Sequence, residues 1–397
     1  MEIMKTKIAS NLSFLLLLCF LLNSCTEPYI LETNTYEEAL VVEATITNEL
    51  KKQEITLTKT SQFEDKEVQI EKGATIFITD NTGTRYNFEE ESGKYISTTE
   101  FQAIPGQEYR LTITTNNGRT FVSSSESLPP LNPIQDVKAA VETKDSLRGV
   151  AIRVSSFDPT NTANYYRYEY EETYKIITPK WVATKAILDN SSNVVLVPNS
   201  VDTKVCYSTK KNTELILANT SQQIDSHLNN VVRFISDQNY IITHRYSILV
   251  KQYVESLAAY SYYETLKKLS ESGSLLSPRQ PGFLIGNLRS ANNPSEKVVG
   301  YFDVASVSSK RIYFNYVDLF PGEFAPPYYT NCDEFCYRPG LDPYPCRTWE
   351  GFIQDLGLNK IAYQSANVQA SVYNMVNVPC GDCTSFSSNI KPPFWVD

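Results

Sequence analysis

Eight cysteines carry most of the chemistry that this chain of 397 residues can offer, and they fall into two groups. Cys25 ends the stretch Leu22-Asn23-Ser24-Cys25, with an aliphatic residue three places before the cysteine and a small one directly before it. This is the pattern at which a diacylglycerol is transferred to a cysteine sulfur and the preceding leader is cut away. The leader itself has the right parts. Lys5 and Lys7 supply a positive start, and an apolar run follows over 14–22, with Cys19 inside it. That run is shorter than the roughly 20 residues needed to span a bilayer and fits the apolar region of a secretory signal. Residues 1–24 are therefore expected to be removed, Cys25 to be lipidated, and the acidic, non-periodic 25–38 to act as a tether. Each buried CH₂ of such an anchor contributes about 0.8 kcal/mol, and two chains hold a protein stably.

The second group is Cys206, Cys332, Cys336, Cys346, Cys380 and Cys383. An even number of cysteines in an exported chain points to disulfides, and six allow fifteen pairings that sequence leaves open. Two rival chemistries share the spacing. C-x₃-C-x₉-C followed by C-x₂-C resembles a zinc ligand set, and Cys380-Gly381-Asp382-Cys383 has the spacing of a thiol–disulfide redox pair. An oxidising compartment favours bridges over zinc. Redox pairs usually sit where a strand meets a helix in an α/β fold, whereas this one lies in a loop-like tail.

Other reactive side chains are sparse. Only two histidines occur, His227 and His244, seventeen residues apart and without helical metal-ligand spacing. The chain lacks a G-x-S-x-G elbow, an H-E-x-x-H motif, a P-loop and a G-x-G-x-x-G turn, so no catalytic residue, cofactor or metal is assigned. Asp80-Asn81-Thr82-Gly83 reads as a hairpin turn, since the later acidic ligands of a calcium loop are missing. Paired carboxylates of the glycosidase kind are recognised by separation in space. Tyr166, Tyr168 and Tyr170 share one face if 163–177 is a strand; with Tyr328 and Tyr329 in the proline-rich tail they form a candidate aromatic contact surface, the blander reading being a sheet core. Asp145-Ser146-Leu147 resembles a short O-glycosylation motif, which makes Ser146 a candidate acceptor.

The elements that must position these residues are mostly strands. Tyrosine (26) and phenylalanine (18) are abundant, as suits extended structure. LVVEATIT (40–47), EITLTKT (54–60), ATIFITD (74–80), TRYNFE (84–89), GKYIST (93–98), EYRLTITT (108–115) and RTFVSSS (119–125) alternate and are separated by turn residues. Seven short strands at this spacing predict an immunoglobulin-like β-sandwich over 39–128, ended by Pro129, Pro130 and Pro133. A larger β-rich domain is expected over 134–397. Within it, Leu257, Tyr260, Tyr263, Leu266 and Leu269 mark an amphipathic helix over 255–270, the stretches 297–309 and 310–317 read as a hairpin, and a Cys-rich tail covers 321–397 with a short helix near 348–353. The fold class is thus mainly β with a disulfide-stapled C-terminal tail. Without residues 1–24 the chain carries 34 basic and 44 acidic residues. That balance argues against nucleic acid and against broad docking on anionic headgroups.

Several landmarks together resemble one family. They are Val42-Glu43-Ala44, Gly93-Lys94-Tyr95 and Pro105-Gly106-Gln107-Glu108-Tyr109, then Tyr246-Ser247-Ile248-Leu249-Val250, Gly273-Ser274-Leu275-Leu276, Gln280-Pro281, Gly286-Asn287 and Val299-Gly300-Tyr301-Phe302. Cys380-Gly381-Asp382-Cys383 and Pro392-Pro393-Phe394-Trp395 close the series. In this order they resemble the Bacteroidota lipoproteins grouped as domain of unknown function 4249. The resemblance implies an outer-membrane lipoprotein, often encoded beside a TonB-dependent receptor, and it brings no catalytic residues. The expected function is non-enzymatic: an accessory to such a receptor in nutrient capture or uptake. A structural or adhesion role in the envelope, and a carboxylate-based hydrolase, are the alternatives. Replacing Cys25→Ser should abolish metabolic labelling with palmitate and move the protein from the membrane to the soluble fraction. Labelling and membrane association that survive the change would contradict the anchor.

Overall fold

Alternating burial turns residues 40–127 into eight strands, β1 (Leu40–Thr47), β2 (Glu54–Lys59), β3 (Thr75–Asp80), β4 (Arg85–Glu91), β5 (Lys94–Ser97), β6 (Glu108–Thr114), β7 (Thr120–Ser123) and β8 (Glu126–Ser127). β1 buries Leu40, Val42, Ala44 and Ile46 on one face, as a period of two requires. The computed structural model describes residues 38–60, 68–223, 226–271, 284–339, 345–367, 369 and 371–397. The expected signal peptide, Cys25 and all but the last residue of the tether lie outside the described residues. Asp80 closes the β3–β4 hairpin: its Oδ1 accepts the N–H groups of Thr82 and Thr84, each at 2.9 Å.

Beyond the prolines come β9 (Asp136–Lys144), β10 (Leu147–Asp158), β11 (Tyr165–Ile177), β12 (Thr184–Leu188), β13 (Val194–Pro198), β14 (Val205–Lys211), β15 (Ile216–Asn219), β16 (Ser226–Ser236) and β17 (Arg245–Val254). Helix α1 (Leu257–Glu271) follows, then β18 (Leu288–Ser290), β19 (Val298–Asn315), α2 (Tyr316–Leu319), β20 (Phe335–Tyr337), α3 (Trp349–Gly357), β21 (Ile361–Asn367), β22 (Val372–Asn377) and α4 (Val378–Gly381). The protein is mainly β, as its composition and alternation predict.

One sheet runs β14-β11-β17-β19-β1-β2-β5-β4-β3-β6-β7-β18. Its second half closes on itself, because β18 pairs with β7 while Ile285 bridges Val299 of β19. The strands of 39–128 therefore form a ring that residues 285–305 complete. Leu40, Ile46, Leu57, Ile78, Tyr109, Phe121, Leu288 and Phe302 fill it. The other half of the sheet faces a three-stranded sheet, β16-β10-β9. Between them lies a second core that includes Ile152, Val154, Ile235, Tyr174, Ile248 and Phe314. The proline stretch separates two cores, but backbone pairing crosses it.

β19 corrects the hairpin expected over 297–317. It is one strand of 18 residues, with neither proline nor a turn to break it. Residues Val298–Ala305 pair parallel with β1, and Ser306–Asn315 pair antiparallel with β17. Even-numbered residues of β19 supply both cores: Val298, Phe302 and Val304 the ring, Phe314 the sandwich. Between the cores, Ser306 Oγ donates to the Pro129 carbonyl, and Ser308 Oγ accepts the Ile134 N–H at 2.8 Å. Two hydroxyls thus satisfy the linker where it crosses the strand.

Helix α1 forms as expected, with Ser256 Oγ accepting the Ala259 N–H at 3.1 Å as an N-cap. Its seat differs from the predicted stripe. Three-residue steps drift by about 60° each around a helix of 3.6 residues per turn, so Leu257 ends 59% exposed and the buried residues are Ala259 and Tyr260.

The C-terminal region is a small sheet, β20-β22-β21, around Tyr337, Phe352, Ile361 and Met375. The six cysteines pair as Cys206–Cys383, Cys332–Cys380 and Cys336–Cys346. Cys380 and Cys383 bond different partners, so they form no redox couple. Cys206–Cys383 joins positions 177 residues apart and ties the tail to β14. A bridge across so long a loop constrains the unfolded chain most.

Gly300 sits where the ring closes, with φ +129° and a Cβ position only 2.1 Å from the Val42 carbonyl oxygen. Gly300→Ala should cost about 3 kcal/mol or more of stability, read as a shift in the denaturant midpoint. Gly118→Ala, at an open turn with φ +82° and nothing near its Cβ, should cost roughly 1 kcal/mol.

Candidate functional site

The even-numbered faces of β11, β17 and β19 are consumed by the core. Tyr166 and Tyr168 are 0% and 1% exposed, with Tyr166 Oη donating to the Ala163 carbonyl and Tyr168 Oη to Gln252 Oε1 at 3.0 Å. Tyr166 and Tyr168 therefore do not belong to a contact surface: the alternation that groups them points them into the sandwich. Tyr170, farther along, is half-buried and packs against that core.

The opposite face is covered at its two ends. Helix α1 lies over one end through Tyr260 on Tyr165 and Tyr262 on Tyr301. The C-terminal residues cover the other, with Phe394 under the Arg311 guanidinium at 3.6 Å and Trp395 against Tyr207 and Tyr313. Between them a cleft of about 420 Å³ remains, within the range of small-molecule sites. It opens where β14 ends and β15 begins, since both pair with β11 and the link 212–215 bows outward. Asn212 stitches that link to β11, its N–H donating to the Tyr170 carbonyl at 3.1 Å and its Oδ1 accepting the Tyr170 N–H at 2.7 Å.

Charges of both signs line the cleft: Arg167, Glu169, Glu171, Lys211, Glu214 and Lys251, beside Leu249. The two deeper carboxylates are engaged. Glu169 accepts from Arg167 and, at 3.0 Å, from Tyr253 Oη; Glu171 pairs with Arg311 at 3.3 Å. Among the described residues, Lys251 and Lys211 reach Glu49 and Glu54 by longer-range attraction. The lysines are thus the groups placed to meet an anionic visitor, while the carboxylates act as fixed walls.

Behind the cleft lies a buried charge cluster. Arg167 Nε donates to Glu255 Oε1 at 2.7 Å, and its other amine lies 3.8 Å from Asp303 Oδ2. The guanidinium stacks between Tyr253 and Tyr263, at 4.3 and 4.9 Å from the ring centroids. The side chains of Glu255 and Asp303 are 0% and 1% exposed. Burial, then the neighbouring Glu255, pushes Asp303 well above the usual carboxylate range. Sequence reading missed this cluster, since a charge alternating with tyrosines reads as a solvated strand face.

The remaining candidates are scattered. Tyr328 and Tyr329 stack with each other and, with Tyr240 and Phe386, form an aromatic patch of which Tyr329 is 42% and Phe386 37% exposed. Ser146 stands exposed in the β9–β10 turn, where Asp145 and Ser146 both have positive φ, the geometry of a tight hairpin. His227 stacks on Phe157 at 4.2 Å; burial, with Lys175 nearby, pulls His244 below its ordinary value. A second cleft of about 380 Å³ lies between the β12–β13 hairpin and the C-terminal sheet. Among the described residues no cluster of three or more potential metal ligands occurs, and no helix is long and apolar enough to cross a membrane.

Removing the guanidinium should strand buried carboxylates. Arg167→Met should lower the unfolding free energy by roughly 3–5 kcal/mol, whereas Lys211→Met at the cleft rim should change it by less than about 0.5 kcal/mol. Equilibrium denaturation of the two variants checks both.

Comparison with curated proteins returns no match. Among solved structures, the B domain of a biofilm-associated protein is 7% identical, with 69% of this chain and 85% of that chain covered and a TM-score of 0.13, too slight a likeness to carry any argument. A family model described as "Domain of unknown function (DUF4249)" matches residues 26–311. That stretch holds the ring, the cleft and the Arg167–Glu255–Asp303 cluster, and stops before most of the stapled tail. The chain belongs to the DUF4249 family.

Proposed function

We propose that this protein is a non-enzymatic lipoprotein of the outer membrane, anchored through Cys25, that assists a TonB-dependent receptor in capturing or admitting a nutrient. The cleft between helix α1 and the C-terminal cover is its binding surface. The observation that carries this reading is the state of the charges in that cleft. Glu169 and Glu171 are locked by arginines, which suits fixed recognition and leaves them poorly placed to pass protons to and from a substrate. Lys211 and Lys251 stand at its rim with no close partner among the described residues. The acidic body repels an anionic membrane, so the lipid and a protein partner are left to fix its position.

An adhesion role in the envelope is the second reading, favoured by the exposed aromatic patch of Tyr329 and Phe386. Exposed aromatics of this kind are anchors for protein contacts. Glycan on Ser146, at the tip of its hairpin, would fit either role.

Affinity purification of the full-length lipoprotein from detergent-solubilised membranes tests the leading reading. A TonB-dependent receptor should co-purify, and the double change Lys211→Glu with Lys251→Glu should reduce its recovery about tenfold, the equivalent of roughly 1.4 kcal/mol, without moving the melting temperature. Recovery of no receptor, or undiminished recovery by the charge-reversed variant, would count against it.

A further inference from the structure

We propose that Glu255 and Asp303 hold a single proton between them, and that losing it unseats helix α1 and loosens Arg167 from the wall of the cleft. The inference stands apart from the identity of any ligand or partner.

Hydrogen bonding supplies the first argument. If both groups were ionised, Glu255 Oε2 and Asp303 Oδ2 would be sealed from solvent with no donor for either. A buried acceptor left bare costs about 1–3 kcal/mol, more when charged. A carboxylic acid is itself a donor, and the Glu255 and Asp303 side chains lie within hydrogen-bonding reach of each other, so one proton between the two groups gives the bare oxygens a donor.

Charge supplies the second. Four groups face the pair from the elements packed around it, Arg167 on β11, Tyr263 on α1, Tyr301 on β19 and Glu126 on β8, while Glu169 on β11 and Tyr253 on β17 adjoin it through Arg167. Arg167 is the one cation among them, and it already serves Glu255 and Glu169. Two of the phenols donate elsewhere, Tyr253 to Glu169 and Tyr301 to Glu126, while Tyr263 accepts from Thr45. Two neighbouring carboxylates that share one guanidinium do not both ionise in such a place, and Asp303 is the one that burial and Glu255 push to keep its proton.

The fold decides what would move. Asp303 lies in β19, which is paired with β1, and Glu255 ends the ladder of β17. Helix α1 begins one residue after its N-cap, Ser256, which adjoins Glu255; it buries Ala259 and Tyr260 and rests Tyr262 and Tyr263 half-buried on Tyr301 and the Arg167 guanidinium. Repulsion between two carboxylates would therefore be relieved at the helix rather than in the sheet. Because Asp303 binds its proton more tightly in the folded protein than in the unfolded one, the stabilisation is complete below the unfolded carboxyl range, about pH 4, and is lost as pH rises through the raised titration of Asp303.

Hydrogen exchange of the full-length protein across the pH range, corrected for intrinsic exchange, tests this. Amides of 257–271 should lose protection about tenfold or more between roughly pH 5 and pH 9, while those of β17 and β19 hold theirs. Asp303→Asn carries its hydrogens permanently and should abolish the pH dependence. A helix whose protection does not change with pH, or an Asp303→Asn protein that keeps the wild-type dependence, overturns the proposal. Should that variant not fold, the infrared spectrum of the wild type decides: a protonated-carboxyl stretch at neutral pH supports the shared proton, and ionised carboxylate bands alone refute it.

Discussion

A strand has two faces, and in β19 one face is spent on both hydrophobic cores. Val298, Phe302 and Val304 enter the ring, and eight to sixteen residues later Ile312 and Phe314 enter or pack against the sandwich, all on even numbers. Since the period is two, the odd-numbered residues Tyr301, Asp303, Arg311 and Tyr313 must lie on the opposite side. Neither core can be built without that strand, and neither can shift its register without turning the odd face inward. The backbone pays for this arrangement near Gly300 and Gly286, where the ring is drawn so tight that a Cβ would strike a carbonyl oxygen. Asn287 completes the closure by bonding Phe302 twice, its Nδ2 donating to the carbonyl and its Oδ1 accepting the N–H, each at 2.8 Å.

The odd-numbered face is consequently where polar chemistry collects. With the apolar positions assigned to the cores, the sheet can offer arginine, glutamate and lysine outward, and two covers divide that surface. Under helix α1 the charges are sealed and share a guanidinium; between the covers they meet solvent and make the cleft. Arg167 belongs to both places, touching Glu255 in the interior and Glu169 on the cleft wall. The C-terminal cover is held down by covalent means as well as packing, through Cys206–Cys383 next to Trp395 on Tyr207. In the reading proposed here, those covers define a recognition surface whose geometry is set before a partner arrives, which spares the ordering cost of binding.

Local structure was the legible part of this chain. Alternation located β1, β3, β6, β11 and β17 nearly to the residue, because each buries one face, and Asn81-Thr82-Gly83 marked the β3–β4 hairpin. Apolar and aromatic residues at three-residue steps, Leu257 to Leu269, marked helix α1. The pairing of β1 with β19 was not legible: its partners, such as Val42 and Gly300, stand 258 positions apart, and parallel register is chosen by the cores that form around it rather than by any turn. The tyrosines of 163–177 were grouped correctly on one face, but period alone does not say which face is inside, and here Asn132 and Gln252 supply the polar partners that let phenols be buried. Arg167 escaped for the same reason. A buried arginine is intelligible only once Glu255 and Asp303, from two distant strands, are placed beside it. The cysteine count implied an exported, bridged chain, while the pairing awaited the fold.

Under the proposed function, partners meet the outer face of the β11–β17–β19 sheet. A photo-crosslinking residue placed at Leu249, which lines the cleft, tests it directly in living cells. Irradiation should join the protein to an outer-membrane receptor from this position and not from Asn117, exposed at the β6–β7 turn. Adducts formed equally from both positions, or from Asn117 alone, would contradict the assignment of that face.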